Sequence, residues 1–265
     1  MSERVVIVCG VLGTIERLRR LLKSVDAFLK PRPYFVVVGQ GLDNTAARWV
    51  KRQGVHLIRK DEPLSFAQFN NLAIKETGDP QWILLLNDDL ELKPSFQQGL
   101  AEMIDHNYDI AGAKLLYPEG LANPAMNGQK GNWIQHYGKW FTLDFYPFHV
   151  LRWQPVDHPA SLQPRAFPDV SFACALIKGD VWRELGGLDE SFSNGFEDDD
   201  FCLRAREIGA QIGVHHLMLA THWESQTTGM DNENKEKQWQ LFHKNWIVTG
   251  RIQWPLGIHQ GWKFP

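Results

Sequence analysis

The sequence lacks a long hydrophobic run. Its longest apolar stretches, residues 5–9 and Trp82–Leu86, are far shorter than the roughly 20 residues that a membrane-spanning helix needs. The first stretch is also too short for the apolar part of an export signal. The sequence therefore predicts neither a transmembrane helix nor secretion.

Positive charge is not in excess, since 28 Lys and Arg stand against 31 Asp and Glu and the net charge is −3. Proteins that bind nucleic acid or an anionic membrane surface usually carry a basic excess or a polybasic run. We therefore expect no nucleic-acid partner.

Cysteine is scarce. Cys9, Cys174 and Cys202 are odd in number, scattered and set among apolar residues. Such cysteines are typical of reduced core thiols in a cytoplasmic protein. A reactive thiol at Cys174 or Cys202 is the alternative.

Two glycine-rich phosphate loops are missing from the sequence. No Gly-x-Gly-x-x-Gly follows the first predicted strand, and no Gly-x-x-x-x-Gly-Lys-Ser/Thr occurs anywhere. The dinucleotide-dependent oxidoreductases and the P-loop enzymes need these loops to hold phosphate, so both classes are disfavoured.

The first half of the chain alternates predicted strands with predicted helices. We predict strands at residues 5–9, 34–38, 55–59 and 82–86, with a turn at 39–41. Helices are expected after Thr14, at 44–53, and from Ser65 to about Thr77. This alternation predicts an α/β fold with a doubly wound, mostly parallel, Rossmann-like sheet, whose ligands bind beyond the carboxyl ends of the strands.

The second half is less regular. Residues 118–168 are rich in Pro, Gly, Asn, His and aromatic residues without a clear period, and loop-rich insertions of this length are more often functional than idle. Beyond them we predict a strand at 170–178, a short helix capped by Asp180, a helix at 197–208, a strand at 212–215 and a helical, aromatic tail from 232 to 246.

Acidic residues follow the fourth predicted strand directly. Asn87, Asp88 and Asp89 stand at its carboxyl end. Adjacent carboxylates there can hold a hard divalent cation whose other ligands are diphosphate oxygens. The alternative is a pair of solvated acids in a turn.

Four consecutive acids begin a later predicted helix: Glu197, Asp198, Asp199 and Asp200. The helix dipole favours acids at this position, and Asp200 can pair with Arg204 one turn later. Their mutual repulsion nevertheless exceeds what a cap requires, and like charges raise a carboxyl pKa, which suits a general base.

His222 follows the last predicted strand and the link 217–220. An imidazole beside carboxylates suits Mn²⁺ better than Mg²⁺ alone. A surface or core histidine is the alternative.

Taken together, these segments resemble the inverting family-two glycosyltransferases of GT-A fold. The resemblance covers nearly the whole chain and depends on the order and spacing of several stretches: 66–74, 86–89, 134–138, 172–178, 186–192, 197–204, 221–225 and 242–246.

The resemblance implies specific roles. Asp89 and His222 would bind a Mn²⁺ or Mg²⁺ on the donor diphosphate, and Asp88 would lie nearer the ribose or the sugar. Asp198 would be the general base that deprotonates the acceptor hydroxyl, and Glu197 would orient the acceptor. Asn71, in the helix before the metal-binding strand, is expected to contribute to donor binding.

One stretch departs from the family pattern. Gly39 stands where the family commonly has an acid that contacts the nucleoside base, and Gln40 is a substitute that can hydrogen-bond a pyrimidine. The resemblance therefore implies a UDP-, GDP- or dTDP-sugar donor without fixing the base.

The predicted organisation is a single domain of residues 1–265. Residues 1–116 would bind the nucleotide sugar, 117–230 would bind the acceptor and carry catalysis, and 231–265 would form the tail. Candidates for an acceptor surface or lid are the middle aromatic and histidine residues Trp133, His136, Trp140, His149 and Trp153. An insertion that simply packs on the sheet is the alternative for this region.

The predicted reaction transfers a sugar, with inversion, onto a hydroxyl of a saccharide or glycoconjugate in the cytoplasm. Peripheral association with a membrane is compatible with the resemblance. Two competing functions are a catalytically degenerate GT-A protein that only binds carbohydrate or nucleotide, and a sugar nucleotidyltransferase. The latter needs a basic, glycine-rich loop after the first strand, of which residues 10–14 are a poor version.

Overall fold

The computed structural model describes residues 5–105, 108–223 and 232–252. The helices are α1 (Glu16–Phe28), α2 (Asn44–Arg52), α3 (Phe66–Thr77), α4 (Phe96–Asp105), α5 (Gly179–Leu185), α6 (Glu197–Glu207) and α7 (Asn232–His243). The strands are β1 (Val5–Leu12), β2 (Tyr34–Gln40), β3 (His56–Lys60), β4 (Trp82–Leu86), β5 (Leu90–Leu92), β6 (Ile110–Leu116), β7 (Leu121–Asn123), β8 (Gln129–Gly131), β9 (Ile134–His136), β10 (Lys139–Phe141), β11 (Pro147–His149), β12 (Arg165–Ala166), β13 (Cys174–Lys178) and β14 (Ile212–His222).

Within the described part of the chain, ten strands form one sheet in the order β12-β14-β6-β13-β4-β1-β2-β3, with β5 paired to β14 and β9 to β6. Strands β1, β2, β3, β4, β6 and β14 run in one direction, whereas β13 lies antiparallel between β4 and β6. The predicted mostly parallel α/β sheet is confirmed.

Helices cover both faces of this sheet. Leu18 and Leu21 of α1, with Leu100 of α4, belong to the core on one face. Ala73 of α3 and Phe201 of α6 belong to the core on the other. Strand β4 is buried along its whole length, and β1 along most of it, because apolar helix faces cover the sheet from both sides. The fold is therefore doubly wound, as the alternation of elements predicts.

Helix starts are predicted with mixed success. Ser65 caps α3 in a capping box with Gln68, as expected. Thr14 does not cap α1, because Ile15 occupies the N-cap position without a side-chain cap. Asp180 is also not a cap: Lys178 occupies the N-cap position of α5, the helix begins at Gly179, and Asp180 falls inside its first turn.

The predicted strands at 34–38 and 212–215 are shorter than the corresponding strands β2 and β14 of the structure. The predicted turn at 39–41 is wrong for Gly39 and Gln40, because both residues continue β2 and pair with β3. The predicted link at 217–220 is wrong as well, because β14 runs through it to His222 with an irregularity between His215 and Leu219. In both cases pairing with a neighbouring strand extends the strand beyond its local sequence signal.

The middle region is an ordered insertion. It contains short strands from β7 to β12, of which β9 joins the sheet on β6 and β10 pairs with β11. Trp133 and Trp140 are buried in it, and Trp153 stacks on Tyr117 with ring centroids 4.0 Å apart. These three indoles therefore pack within the protein.

The tail helix α7 continues as one π-helical turn over Lys244–Val248. Phe242 and Trp246 pack against Phe192 and Leu203 in a small separate core. The predicted helical tail at 232–246 is confirmed, whereas Glu224 and Ser225 of the stretch 221–225, and residues 253–265, lie outside the described residues. None of the described helices combines the length and the apolar character that crossing a bilayer requires.

Candidate active site

The site begins where β4 ends. Asp89 follows this strand, and β5 then pairs with the end of β14 so that Leu90 lies opposite His222. This pairing brings Nε2 of His222 to 3.2 Å from Oδ1 of Asp89. Asp89 and His222 are more than 130 positions apart in the sequence. They meet because β5, which follows Asp89, pairs with the end of β14.

The orientation of His222 is fixed by Gln135 on β9. Nδ1 of His222 lies 2.7 Å from Oε1 of Gln135. An amide oxygen only accepts hydrogen bonds, so Nδ1 carries the proton and Nε2 of the neutral ring has a lone pair. The amide group of Gln135 also donates to the backbone oxygen of His222. His222 thus presents a metal-ligating nitrogen toward Asp89.

This pair fits a divalent cation. Oδ1 of Asp89 is buried and has no hydrogen-bond partner among the described residues. Two lone-pair atoms that face each other at 3.2 Å repel unless a proton or a cation lies between them. The described residues include no cluster of three or more His, Cys, Asp or Glu suited to a metal, so a cation here would need oxygen ligands from a bound substrate, such as a diphosphate.

Asp88 is held by a residue that the sequence did not single out. Nε of Arg17, in the first turn of α1, lies 3.1 Å from both carboxylate oxygens. Burial and the charge of Asp89 raise the pKa of Asp88 from 3.8 to about 6, although Arg17 opposes the shift. An arginine in a first helical turn is too common a feature to predict this contact from sequence.

Asp198 lies at the start of α6. Its Oδ2 accepts hydrogen bonds from Nζ of Lys139 at 2.8 Å and from the amide of Phe172 at 3.3 Å, while Oδ1 accepts from the amide of Asp199. Burial raises the pKa of Asp198, but the Lys139 ammonium and these hydrogen bonds bring it below its ordinary value. The expectation that neighbouring acids raise this pKa is wrong here, because a buried cation outweighs them.

Glu197 behaves in the opposite way. Burial, followed by the charge of Asp198, raises its pKa from 4.5 to about 7. Its carboxylate accepts a hydrogen bond from the amide of Gly195. The two adjacent carboxyl groups therefore have well-separated affinities for protons, a pattern seen where one acid is charged and its neighbour can be neutral.

The last acid of the run has a structural role. Asp200 pairs with Arg204 at 2.7 Å, as its spacing predicts, and accepts a hydrogen bond at 2.8 Å from the indole of Trp246. It thus fastens α6 to the tail.

The hairpin β10–β11 completes the site. Lys139 and His149 lie directly opposite each other in it. Lys139 reaches Asp198, and His149 lines a cavity of about 200 Å³. Other residues around this cavity are Asn87, Phe172, Glu197, Asp198 and His222.

No family model matches the chain. It is 26% identical over 192 residues to a low-salt glycan biosynthesis hexosyltransferase of Haloferax volcanii, covering 71% of this chain and 58% of the relative. It is 25% identical over 210 residues to an O-antigen biosynthesis protein of Myxococcus xanthus, covering 76% of this chain and 15% of that protein. The chain thus spans little more than half of the first relative.

The similarity to solved structures covers more of this chain than the similarity to these two relatives. The structure of GalNAc-T7 with UDP, GalNAc and Mn²⁺ superposes with a TM-score of 0.70 at 13% identity, over 93% of this chain and 49% of that one. A mannosyltransferase from Pyrobaculum calidifontis in complex with GDP-Man and Mn²⁺ gives 0.62 at 10% identity, over 94% and 65%. The chain has the GT-A fold of glycosyltransferases. The family resemblance seen in the sequence is thereby confirmed at the level of the fold.

In this GT-A protein, two predicted donor-binding residues make contacts within the chain. Oε1 of the buried Gln40 accepts the amide of Leu64 at 2.5 Å. The side-chain amide of Asn71 bonds both backbone groups of Leu188 and the carboxylate of Glu190, each at 2.9 Å. Asn71 therefore connects α3 to the turn after α5, and donor binding by Gln40 and Asn71 stays a prediction.

The side chains packed around Gly39 give a physical reason for a glycine at this position. A Cβ atom at Gly39 would lie 2.5 Å from Cδ1 of Leu42 and 3.0 Å from Cδ1 of Leu57. Leu42 is itself buried. Apolar side chains thus occupy the space that an acid at this position would need.

The sequence did not indicate a role for Lys139, and it indicated Gln135 only as part of the stretch 134–138. Both lie in the irregular middle region, where no periodicity indicates which side chains point inward. The sequence feature that could have indicated Lys139 is the run of acids at 197–200, because buried carboxylates need a cation nearby.

Proposed function

We propose that the protein transfers a sugar from a nucleoside-diphosphate sugar to a hydroxyl group of a saccharide or glycoconjugate, with inversion, using Mn²⁺ or Mg²⁺. The observation that carries the proposal is the pairing of Asp89 with the ligating nitrogen of His222 beside a cavity that contains Asp198. Hexosyltransferase and O-antigen biosynthesis relatives support it, as do GT-A neighbours solved with UDP or GDP-Man and Mn²⁺.

Asp89 and His222 would hold the cation at the end of β4. A divalent cation bound there supplies Lewis-acid stabilisation to the diphosphate leaving group. Asp88 would face the ribose or the sugar, held in place by Arg17. These groups would hold the donor at the carboxyl ends of the parallel strands, where α/β sheets bind ligands.

Asp198 would act as the base. The acceptor oxygen forms a bond to the anomeric carbon while the bond from that carbon to the phosphate oxygen breaks, and the hydroxyl proton passes to Asp198. Lys139 keeps Asp198 ionised before the reaction, and a general base needs this state. Glu197, whose pKa is about 7, would orient the acceptor by hydrogen bonding.

The proposed organisation follows these roles. Residues 1–116 would hold most of the donor and 117–230 would supply the acceptor side together with His222, followed by the tail 231–265. All three cysteines are free and buried, which fits the reducing cytoplasm. The relatives' names favour polysaccharide biosynthesis as the setting.

A thermal-shift screen tests the donor site. Purified protein is heated with UDP, GDP, CDP or dTDP, each with and without Mn²⁺. A ligand at a hundred times its Kd stabilises the native state by about 2.7 kcal/mol. We expect one nucleotide to give a metal-dependent shift that Asp89→Ala abolishes and that the exposed-acid control Glu184→Ala retains.

Nucleoside-diphosphate release from the corresponding nucleotide sugar then tests turnover. Binding without release would favour the degenerate binding protein. Pyrophosphate release from a nucleoside triphosphate and a sugar phosphate would favour the nucleotidyltransferase. An absence of shift with all four nucleotides would contradict the proposed donor site.

A further inference from the structure

Two histidines of the insertion meet at the edge of the cavity. Nδ1 of His136 lies 2.8 Å from Nδ1 of His149, and the rings meet edge to face with centroids 4.9 Å apart. His149 lines the cavity with Asp198 and His222. Because one of these two nitrogens must donate and the other accept, the position of the proton on one ring determines its position on the other.

The proton of His136 is fixed by the backbone. Its Nε2 accepts hydrogen bonds from the amides of Gly138 and Ser171, each at 3.3 Å. A ring nitrogen that accepts a hydrogen bond carries no proton, so the proton of the neutral ring is on Nδ1. Burial holds the pKa of His136 well below its ordinary value, and the ring is neutral.

His149 must then accept a hydrogen bond from Nδ1–H of His136. Its Nδ1 is the acceptor of that hydrogen bond, so the proton of its own neutral ring is on Nε2. Burial, with the nearby charge of Lys139, lowers the pKa of His149 from 6.5 to about 3. His149 therefore has one N–H group, and it is not the one that faces His136.

His149 lines the cavity, and Nε2 is the ring nitrogen that does not face His136. Within residues 5–105, 108–223 and 232–252, the hydrogen bond recorded for this ring is the one to His136. Glu197 and Asp198 line the same cavity, and Lys139 lies opposite His149 in the hairpin. The cavity thus has acidic acceptors, and His149 contributes to it an N–H donor on a ring that is neutral near pH 7.

We propose that Nε2–H of His149 donates a hydrogen bond to a sugar hydroxyl oxygen in this cavity. The proposal rests on the proposed glycosyltransferase function and specifies how its acceptor is held. A hydroxyl that accepts from His149 has its own proton free to be donated to Asp198, which is the orientation that deprotonation requires. The hydroxyl comes from the acceptor, and a hydroxyl of the donor sugar is the alternative source.

The tautomers are tested by nitrogen-15 NMR on protein labelled at histidine, in Mg²⁺ to avoid paramagnetic broadening. Signals of His149 are those lost in His149→Gln. We expect a protonated Nε2 and a bare Nδ1 for His149, with the reverse for His136. A proton on Nδ1 of His149 would overturn the proposal. This readout does not depend on catalysis, so it separates the histidine relay from the proposed function.

Ligand binding is followed on the same signals. Methyl glycosides of glucose, galactose, mannose and rhamnose are added together with the nucleoside diphosphate. A shift of the His149 Nε2 signal with a glycoside supports the acceptor as the source. A shift with the nucleotide sugar, absent with the nucleoside diphosphate alone, supports the donor sugar. No shift with any sugar, while the nucleotide still binds, overturns the proposal.

Two variants separate donation from packing. His149→Asn can still accept from His136 but does not reach the position of Nε2, whereas His149→Gln places an amide there. We expect Asn to weaken binding of the shifting sugar about tenfold and Gln to keep it within about threefold. The exposed-histidine control His56→Gln is expected to match the wild type. Unweakened binding by His149→Asn would overturn the proposal.

Discussion

At the scale of single residues, the site combines groups whose charges are set by their neighbours. Asp198 and Glu197 are adjacent in sequence, yet Lys139 contacts only the first of them closely, at 2.8 Å. Asp198 is therefore held ionised while Glu197 has a pKa of about 7. This difference suits a base and an orienting group on one helix end.

The role of Asp198 is tested by Asp198→Asn. The amide keeps the shape of the side chain but does not take up a proton, so we expect turnover to fall by about 10²–10⁴-fold. Nucleotide affinity should be unchanged, because Asp198 is not one of the residues proposed to hold the cation or the nucleotide. Measurements of nucleoside-diphosphate release and of nucleotide binding check both expectations, with Glu184→Gln as control. Turnover close to that of the wild type would exclude Asp198 as the base.

The role of Gln135 is tested by Gln135→Leu. Without its amide oxygen the proton of His222 is no longer held on Nδ1, and loss of such a supporting contact typically weakens metal binding by about 10–100-fold. Mn²⁺ titration in the presence of the nucleoside diphosphate, followed by electron paramagnetic resonance, measures this. Gln135→Glu retains an acceptor oxygen and should recover most of the affinity, while Gln163→Leu, at an exposed position, should have no effect. Equal Mn²⁺ affinity in Gln135→Leu would show that Gln135 does not orient His222.

At the scale of secondary-structure elements, the helix α3 and the hairpin β10–β11 show how different signals lead to a site. The helix is specified locally by its capping box. The hairpin has no local signal of comparable strength, yet its pairing places Lys139 and His149 opposite each other. The contribution of the hairpin to the site thus depends on its packing position beside α6, which its local sequence does not indicate.

The contact between α3 and the turn after α5 yields a prediction at this scale. Asn71→Ala removes three hydrogen bonds to Leu188 and Glu190, and we expect the free energy of unfolding to fall by about 2 kcal/mol. Denaturant unfolding measures this loss. Nucleotide affinity should stay unchanged if the role of Asn71 is structural, whereas weaker nucleotide binding at unchanged stability would support the donor-binding role that the family resemblance implies.

At the scale of the whole molecule, the burial of Glu197 at the start of α6 links stability to pH. The pKa of Glu197 rises from 4.5 to about 7 on folding, so between these values the native state binds more protons than the unfolded state. Its contribution is fully present below about pH 4.5 and is lost as the pH rises through about 7.

Comparison with Glu197→Gln isolates this contribution, because glutamine keeps the carbonyl acceptor for Gly195 without ionising. We expect the two proteins to differ little in unfolding free energy at pH 4.5. At pH 8 the variant should be the more stable by up to about 3 kcal/mol. Urea unfolding at both pH values measures the difference. A gap that does not grow with pH would contradict the raised pKa of Glu197.

Much of the fold follows from local sequence alone. The strand β4 and the helix α3 have the bounds that apolar runs and capping residues predict, because burial and capping act within a few residues. The positions of the acids at 88–89 and 197–200 were likewise evident from the sequence, since strand ends and helix starts are local features.

Other features were decided only by the tertiary structure. Contacts between distant segments extend β14 to His222 and bring His222 to Asp89. Such contacts also stabilise the ionised form of Asp198 beside Lys139 and set the tautomer of His149. The order of residues alone is enough to identify the groups that are available for chemistry. The charge, proton position and partner of each were decided by the folded chain, because electrostatic and hydrogen-bonding interactions depend on distances that sequence separation does not fix.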